Sequence, residues 1–475
     1  MMLYKGYEMV VGLEVHVELK TQTKIFCNCK TTFGAPPNTH ICPVCLGMPG
    51  ALPVLNRRVV EYAVKAGLAL SCDIARRSHM DRKNYFYPDL PKGYQISQYD
   101  EPLCTGGYVD IETADGQKRI GITRIHIEED AGKLIHEGDG TAIDCNRCGV
   151  PLIEIVSEPD MRSAVEAAAY LRQLRTILRY AGVSDCRMNE GAMRCDVNLS
   201  VRRPGEALGT RTEMKNINSF QFVQKAIEYE YRRQVDVLER GESIDQETRR
   251  FDPSDGKTYL LRQKENADDY RYFPEPDIPP FAITDDEIQS LAEALPMLPE
   301  ARKAMYRERF GLTANDCSLI IEEPCIADYF EKCAAETAYP KLCANLLITD
   351  ALRHWKPETD TFPFAPCRLS EVATLLGKER INSSVAKKLI ERLLEEDFDP
   401  ESYVKENHLE QINDVALLEA LVCEMLAKET KTVDSYRKGK TAALQALVGK
   451  AMGQTGGRAN PVVLRELMEK HLLEE

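Results

Sequence analysis

Residues Gly12 to Leu19 alternate strictly. Leu13, Val15, Val17 and Leu19 fall on one side of an extended chain, and Glu14, His16 and Glu18 fall on the other. A period of two fits a strand with one apolar face laid on a core. On the opposite face, successive polar side chains stand about 7 Å apart, at roughly 3.3 Å per residue. A solvated strand face is one explanation of that row. A divalent-cation site is the other, because glutamate oxygens suit a hard cation such as Mg²⁺ and histidine adds a nitrogen.

Two further stretches repeat the pattern. Gly121–Asp130 places Arg124, His126 and Glu128 on one polar face and ends in the acids Glu128, Glu129 and Asp130. Parity puts Glu128 and Glu129 on opposite faces, so Glu129 reaches the polar face only if the strand ends or bulges there. Arg194–Arg202 turns Val197, Leu199 and Val201 inward, with Asp196, Asn198 and Ser200 opposite, and Arg211–Asn216 sets Arg211, Glu213 and Lys215 on one side. Several strands that repeat acids, amides and cations predict the floor of a charged cleft on an antiparallel sheet. Helices are expected over 54–70, from a capping box at Ser163 and Glu166 to Gly182, and over 219–240.

Cys27 and Cys29 are followed after twelve residues by Cys42 and Cys45, a spacing that suits a closed tetrahedral zinc–sulfur site of structural character. Four buried thiols are the plainer reading, and His40 is expected in the connecting loop. Cys145 and Cys148 have no second pair close by and read as ordinary buried thiols. Sixteen cysteines without an apolar leader at the N-terminus point to a reducing, cytoplasmic setting.

Two stretches combine aromatic rings with cations. Asp81–Tyr99 includes Arg82, Lys83, Tyr85, Phe86, Tyr87, Lys92 and Tyr94, and Asp268–Asp277 includes Tyr270, Arg271, Tyr272 and Phe273. Prolines keep the first from being helical throughout. Rings offer stacking surfaces and cations offer charge to phosphate, which suits a nucleotide or an RNA end; an aromatic-stapled loop is the alternative.

A chain of 475 residues predicts about two to four domains. A net charge of −14 argues against a surface that coats nucleic acid, so any such contact is local. No apolar run reaches the length of about 18 residues that spans a membrane. The proline-rich stretch after Asp277 marks a first boundary near residue 290, beyond which strand signals fade and helical stripes such as Val385, Leu389 and Leu393 take over. Residues 431–475 carry eight Lys or Arg against five Asp or Glu, which suits RNA backbone contacts; a solvated helix pair is the alternative.

Long motifs then resemble one family: Gly12–His16, the four cysteines, Arg82–Gln98, Gly149–Asp160, Glu213–Ser219 and Tyr270–Asp277. They resemble the B subunits of the aspartyl/glutamyl-tRNA amidotransferases (the GatB family), over nearly the whole chain. Cys145 and Cys148 depart from that pattern, where a tyrosine and a small residue are expected.

The resemblance implies an α+β fold. An antiparallel-sheet cradle with inserted helices would cover 1–290 and hold the ATP, Mg²⁺ and zinc sites. An all-α domain would follow at 291–405, and a small YqeY-like helical tail that grips tRNA at 406–475. It implies ATP-dependent phosphorylation of the side-chain carboxylate of Glu or Asp misacylated onto tRNA-Gln or tRNA-Asn. Transamidation would follow, with ammonia channelled from a partner amidase. That amidase, a small C subunit and this chain would form a heterotrimer. On this reading Glu14, His16 and Glu129 hold Mg²⁺, with Glu128 and Asp196 close by or at a second ion. Lys83, Tyr85, Lys92 and Arg271 contact ATP or the tRNA acceptor end, and Cys27, Cys29, Cys42 and Cys45 hold structural Zn²⁺. A zinc-stabilised, non-catalytic tRNA-binding scaffold is the alternative.

Overall fold

The computed structural model describes residues 3–474 apart from 264–266, 356–360 and 438–439. The chain divides into two compact units, 1–299 and 300–475.

In the first unit the elements that build the site are, in chain order, β1 (Glu8–Glu18), α1 (Arg57–Ala69), β2 (Asp81–Asn84), β3 (Tyr94–Ser97), β4 (Gly116–Glu129), β5 (Pro151–Ser157), α2 (Ala164–Tyr180), β6 (Met193–Arg202), β7 (Thr212–Ile217), α3 (Phe220–Glu239), β8 (Glu247–Asp252) and β9 (Lys257–Gln263). A ten-stranded sheet runs β9-β8-β7-β6-β1-β5-β4 and continues through Cys104–Thr105 to Asp73–Ile74, with Tyr108–Thr113 paired to β4. Its ladders are antiparallel except for the parallel pair β7–β8.

β1 is the hub. It pairs with β5 on one side and β6 on the other, in a register that sets Val15 opposite Ile155 and Cys195. The alternation therefore adds up across strands. Leu13, Val15, Val17, Ile125, Ile127, Ile153, Ile155, Val197 and Leu199 share one core with Ala63 of α1, Leu171 and Leu174 of α2, and Val223 and Ile227 of α3. The helices thus cover the apolar side of the sheet and leave the polar residues of β1, β4, β5 and β6 together on the other.

The expected helices form with side-chain caps. Asn56 accepts from Arg58, Ser163 from Glu166 and Ser219 from Phe222. The capping box at Ser163 is only half made, because the Glu166 carboxylate accepts the backbone N–H of Arg162, one residue earlier, at 2.8 Å. The helix Asp285–Glu293 lays Ile288 and Leu291 on the first unit's core.

From Glu300 onward the described residues are helices joined by turns. Val385, Leu389 and Leu393 are the buried stripe of the helix Ser383–Leu393. A separate apolar cluster, including Leu418, Val422, Leu447, Leu464 and Met468, holds the last helices together. Among the described residues no helix is long and apolar enough to cross a membrane.

Candidate functional site

The polar face of the sheet carries two ligand-like clusters. In the first, His16 of β1 faces Glu154 of β5 directly across the ladder, and Glu154 in turn faces His126 of β4. The His16 Nε2 lies 3.3 Å from Glu154 and 3.4 Å from Glu128, and the His126 Nε2 lies 3.6 Å from Glu154. His16, Glu128 and Glu154 each offer a ligand atom within 4.8 Å of the others. Burial lowers the His16 pKa, but Glu128, Glu154 and Asp196 outweigh it and push the imidazole up to about 9. Burial pushes Glu128 up to about 7 and His126 down to about 4. Burial also works against the Glu154 charge, yet the surrounding imidazoles and Lys83 hold its carboxyl well below the usual range.

The second cluster joins Glu14, Asp196 and Glu213, with ligand atoms within 4.8 Å. Glu14 of β1 stands opposite Asp196 of β6, and a register shift between Cys195 and Val197 interrupts the β6–β7 ladder at Asp196. Asn198 donates to Glu14 at 2.8 Å, and Lys215 pairs with Asp196 and, at 3.3 Å, with Glu213. Burial and the neighbouring carboxylates Glu154 and Glu213 raise the Glu14 pKa. The Asn198 side-chain oxygen is buried without a hydrogen-bond donor. Three converging carboxylates are oxygen donors of the kind a hard cation takes, and Lys215 supplies positive charge to two of them. The first cluster, with two carboxylates and an imidazole nitrogen, fits Mg²⁺ or Mn²⁺.

Lys83 of β2 borders the first cluster. Burial works against its charge, but Tyr272, Glu128 and Glu154 raise its pKa. Its ammonium lies 4.9 Å from the Tyr270 ring centre and 5.9 Å from that of Tyr85. The two aromatic stretches of the sequence therefore meet. Phe273 pairs with Arg82, whose guanidinium grips Glu275 at 2.6 and 2.8 Å, and Tyr272 stacks on Tyr99 at 4.2 Å. Asn84 donates to the carbonyls of Tyr270 and Arg271, which holds the exposed Arg271 at a φ of 45°.

One expected placement is corrected. Glu129 does not join Glu14 and His16. β4 continues in regular register to its end, with Leu152 opposite Glu128 and Pro151 opposite Glu129, so no bulge brings Glu129 round. Its carboxylate instead pairs with Lys92 and accepts the Ile96 N–H at 2.9 Å. Lys92 lines a pocket together with Cys27, Cys45, Tyr94 and Glu129.

Glu154, Glu213 and His126 are the ligand-like residues that sequence reasoning passed over as site members. Glu154 is the lone charged residue of β5, which was the available signal.

Cys27, Cys29, Cys42 and Cys45 converge with all four sulfurs within 4.8 Å. The Cys42 and Cys45 sulfurs are 3.9 Å apart, against about 3.8 Å for the edge of a tetrahedron with Zn–S bonds of about 2.3 Å. A hydrogen bond from the Cys27 thiol, the Cys42 N–H and the Lys24 ammonium together push Cys45 down to about 4. The His40 ring is outside the cluster, and Cys145 and Cys148 are buried free thiols.

Comparison with known proteins follows the same division. Residues 9–289 match the family described as the GatB/GatE catalytic domain, and residues 328–472 match the GatB domain that takes its name from YqeY. The chain is 52% identical to the B subunit of the aspartyl/glutamyl-tRNA(Asn/Gln) amidotransferase from Carboxydothermus hydrogenoformans, over 98% of this chain and 99% of the relative. It is 51% identical to the protein of the same name from Caldanaerobacter subterraneus subsp. tengcongensis and 50% identical to that from Geotalea daltonii, with the same coverage. A sheet with two acidic clusters on its polar face, a helical remainder and this extent of identity have one conclusion: the chain belongs to the GatB family of tRNA-dependent amidotransferase subunits.

Proposed function

We propose that this chain activates the side-chain carboxylate of Glu or Asp misacylated onto tRNA-Gln or tRNA-Asn by transferring the γ-phosphoryl group of ATP to it. Ammonia supplied by a partner amidase then displaces the phosphate. The observation that carries this reading is the joint placement of His16, Glu128 and Glu154 with Glu14, Asp196 and Glu213 on one polar face beside Lys83. A carboxylate resists ammonia because oxide is a poor leaving group. Its oxygen attacks the γ-phosphorus and ADP departs. The ammonia nitrogen then attacks the acyl carbon, the C–O bond to phosphate breaks, and the nitrogen gives up a proton.

Phosphoryl transfer needs positioning and charge neutralisation more than covalent chemistry. His16, Glu128 and Glu154 would hold one divalent cation, and Glu14, Asp196 and Glu213 a second. Mg²⁺ in these places supplies positive charge to phosphate oxygens. Lys83 adds a fixed ammonium next to them, and Tyr270 and Tyr272 offer a ring surface to a base, with Arg271 exposed beside them. The tetrathiolate cluster suits a structural Zn²⁺. The basic final helices suit the tRNA backbone. Assembly with amidase and small C subunits in the cytoplasm belongs to the same proposal.

The cation sites carry a pH signature. His16, at about 9, and Glu128, at about 7, must both lose their protons to bind a metal ion. Binding therefore releases protons, and Mn²⁺ affinity is expected to rise steadily from about pH 6 to pH 9. A flat profile in a spin-resonance titration of free Mn²⁺ would count against this ligand set.

The deciding experiment measures ADP release by the chain with its amidase partner and Mg²⁺, with and without Glu-tRNA-Gln. Release that requires the misacylated tRNA supports the kinase step. Firm tRNA binding without release favours the scaffold reading.

A further inference from the structure

Lys24 is fully buried, with no exposed surface. Its ammonium donates to the carbonyl oxygen of His40 at 2.7 Å and of Cys145 at 3.3 Å, and to the Cys45 sulfur at 3.6 Å. Among the described residues it makes no ion pair with a carboxylate, and the one carboxylate lining the adjacent pocket, Glu129, is taken by Lys92. A buried ammonium held only by carbonyls is costly unless an anion stands close. Among its described partners, the sulfur of Cys45 is the group that can supply that charge. Four thiolates around a divalent ion leave two negative charges over, inside the protein.

The backbone of Lys24 serves the same place. Its N–H donates to Cys29 at 2.9 Å and closes the first cysteine turn, while the next N–H, of Ile25, donates to Gly149 at 2.9 Å. Lys24 thus ties both cysteine pairs to the turn at Cys145–Gly149, which leads directly into β5 and Glu154.

We propose that Lys24 is the counter-ion of the metal–thiolate cluster: its buried ammonium, donating to the Cys45 sulfur, offsets negative charge that four thiolates around a divalent ion leave over and fixes the position of that sulfur. Lys24 is a positioning residue, acting through Cys45. The inference rests on the zinc reading above and extends it, because a neutral set of four thiols leaves Lys24 without an anion.

The test is competition for zinc between the purified full-length chain and a chromophoric chelator. Lys24→Met removes charge and hydrogen bonds; Lys24→Gln removes the charge but keeps donors for the two carbonyls, and serves where Lys24→Met does not fold. Both are expected to lower the apparent zinc affinity about 10- to 100-fold, the usual range for losing a group that supports a ligand. Lys24→Arg, which keeps the charge, is expected to stay near the unaltered chain. Melting temperatures of the zinc-stripped forms separate this from a purely structural role, since they should differ far less than those of the loaded forms. Unchanged zinc affinity in Lys24→Gln overturns the proposal. An unaltered chain that carries no zinc overturns the metal reading itself, a distinct outcome.

Discussion

Glu154→Gln is expected to slow tRNA-dependent ADP formation by about 10²- to 10³-fold, the range for removing one preorganised charge from a transition state. Glu154 is the cross-strand partner of both His16 and His126, so it is the carboxylate at the centre of the first cluster. Glutamine keeps the shape and one acceptor oxygen but drops the charge that lies 3.3 Å from His16. Single-turnover ADP formation checks the rate, and Mn²⁺ titration should show one weakened site. Binding of the tRNA should hold, because the basic tail lies in the second unit and is untouched by the change. Full activity in Glu154→Gln would remove the first cluster from the chemistry.

Glu230→Ala is expected to cost about 3–5 kcal/mol of stability, the penalty for leaving buried partners of an ion pair uncompensated. Glu230, on α3, has no exposed surface. Its carboxylate accepts from Arg233 at 2.7 Å, from Thr258 at 2.8 Å and from Gln234 at 3.1 Å, and Arg249 stands 3.6 Å away. Arg249 and Thr258 belong to β8 and β9, so this one carboxylate fastens the helix to the far edge of the sheet. Arg233 and Arg249 also reach Glu247, at 3.0 and 2.6 Å, and that second carboxylate keeps the loss toward the lower end of the range. Urea denaturation followed by far-ultraviolet circular dichroism measures it; a change below about 1 kcal/mol, the ceiling for exposed ion pairs, would mean the network adds no more than a surface one.

What was legible in the sequence was whatever repeats at short range. Alternation placed Leu13, Val15 and Val17 in the core and turned Glu14 and His16 to the other face, because the strand period of two is a property of the local backbone. Parity likewise separated Glu128 from Glu129, and regular β4 pairing keeps them apart. The cysteine spacing was readable for the same reason: each pair sits on a single tight turn. The helix cap at Ser163 is local too.

Tertiary structure alone decided which strands became neighbours, and with that which acids share a site. Nothing local says that β1 lies between β5 and β6, so nothing local brings Glu154 to His16 or Asp196 to Glu14. The same holds for Lys92, which sits in a stretch rich in cations and rings yet turns away to Glu129, and for Lys24, whose partners lie up to 121 residues away in sequence. Side-chain direction follows from the period of one strand. Ligand sets and buried charge pairs follow from pairing between distant strands, where burial of the apolar face over the whole sheet, rather than any one segment, selects the register.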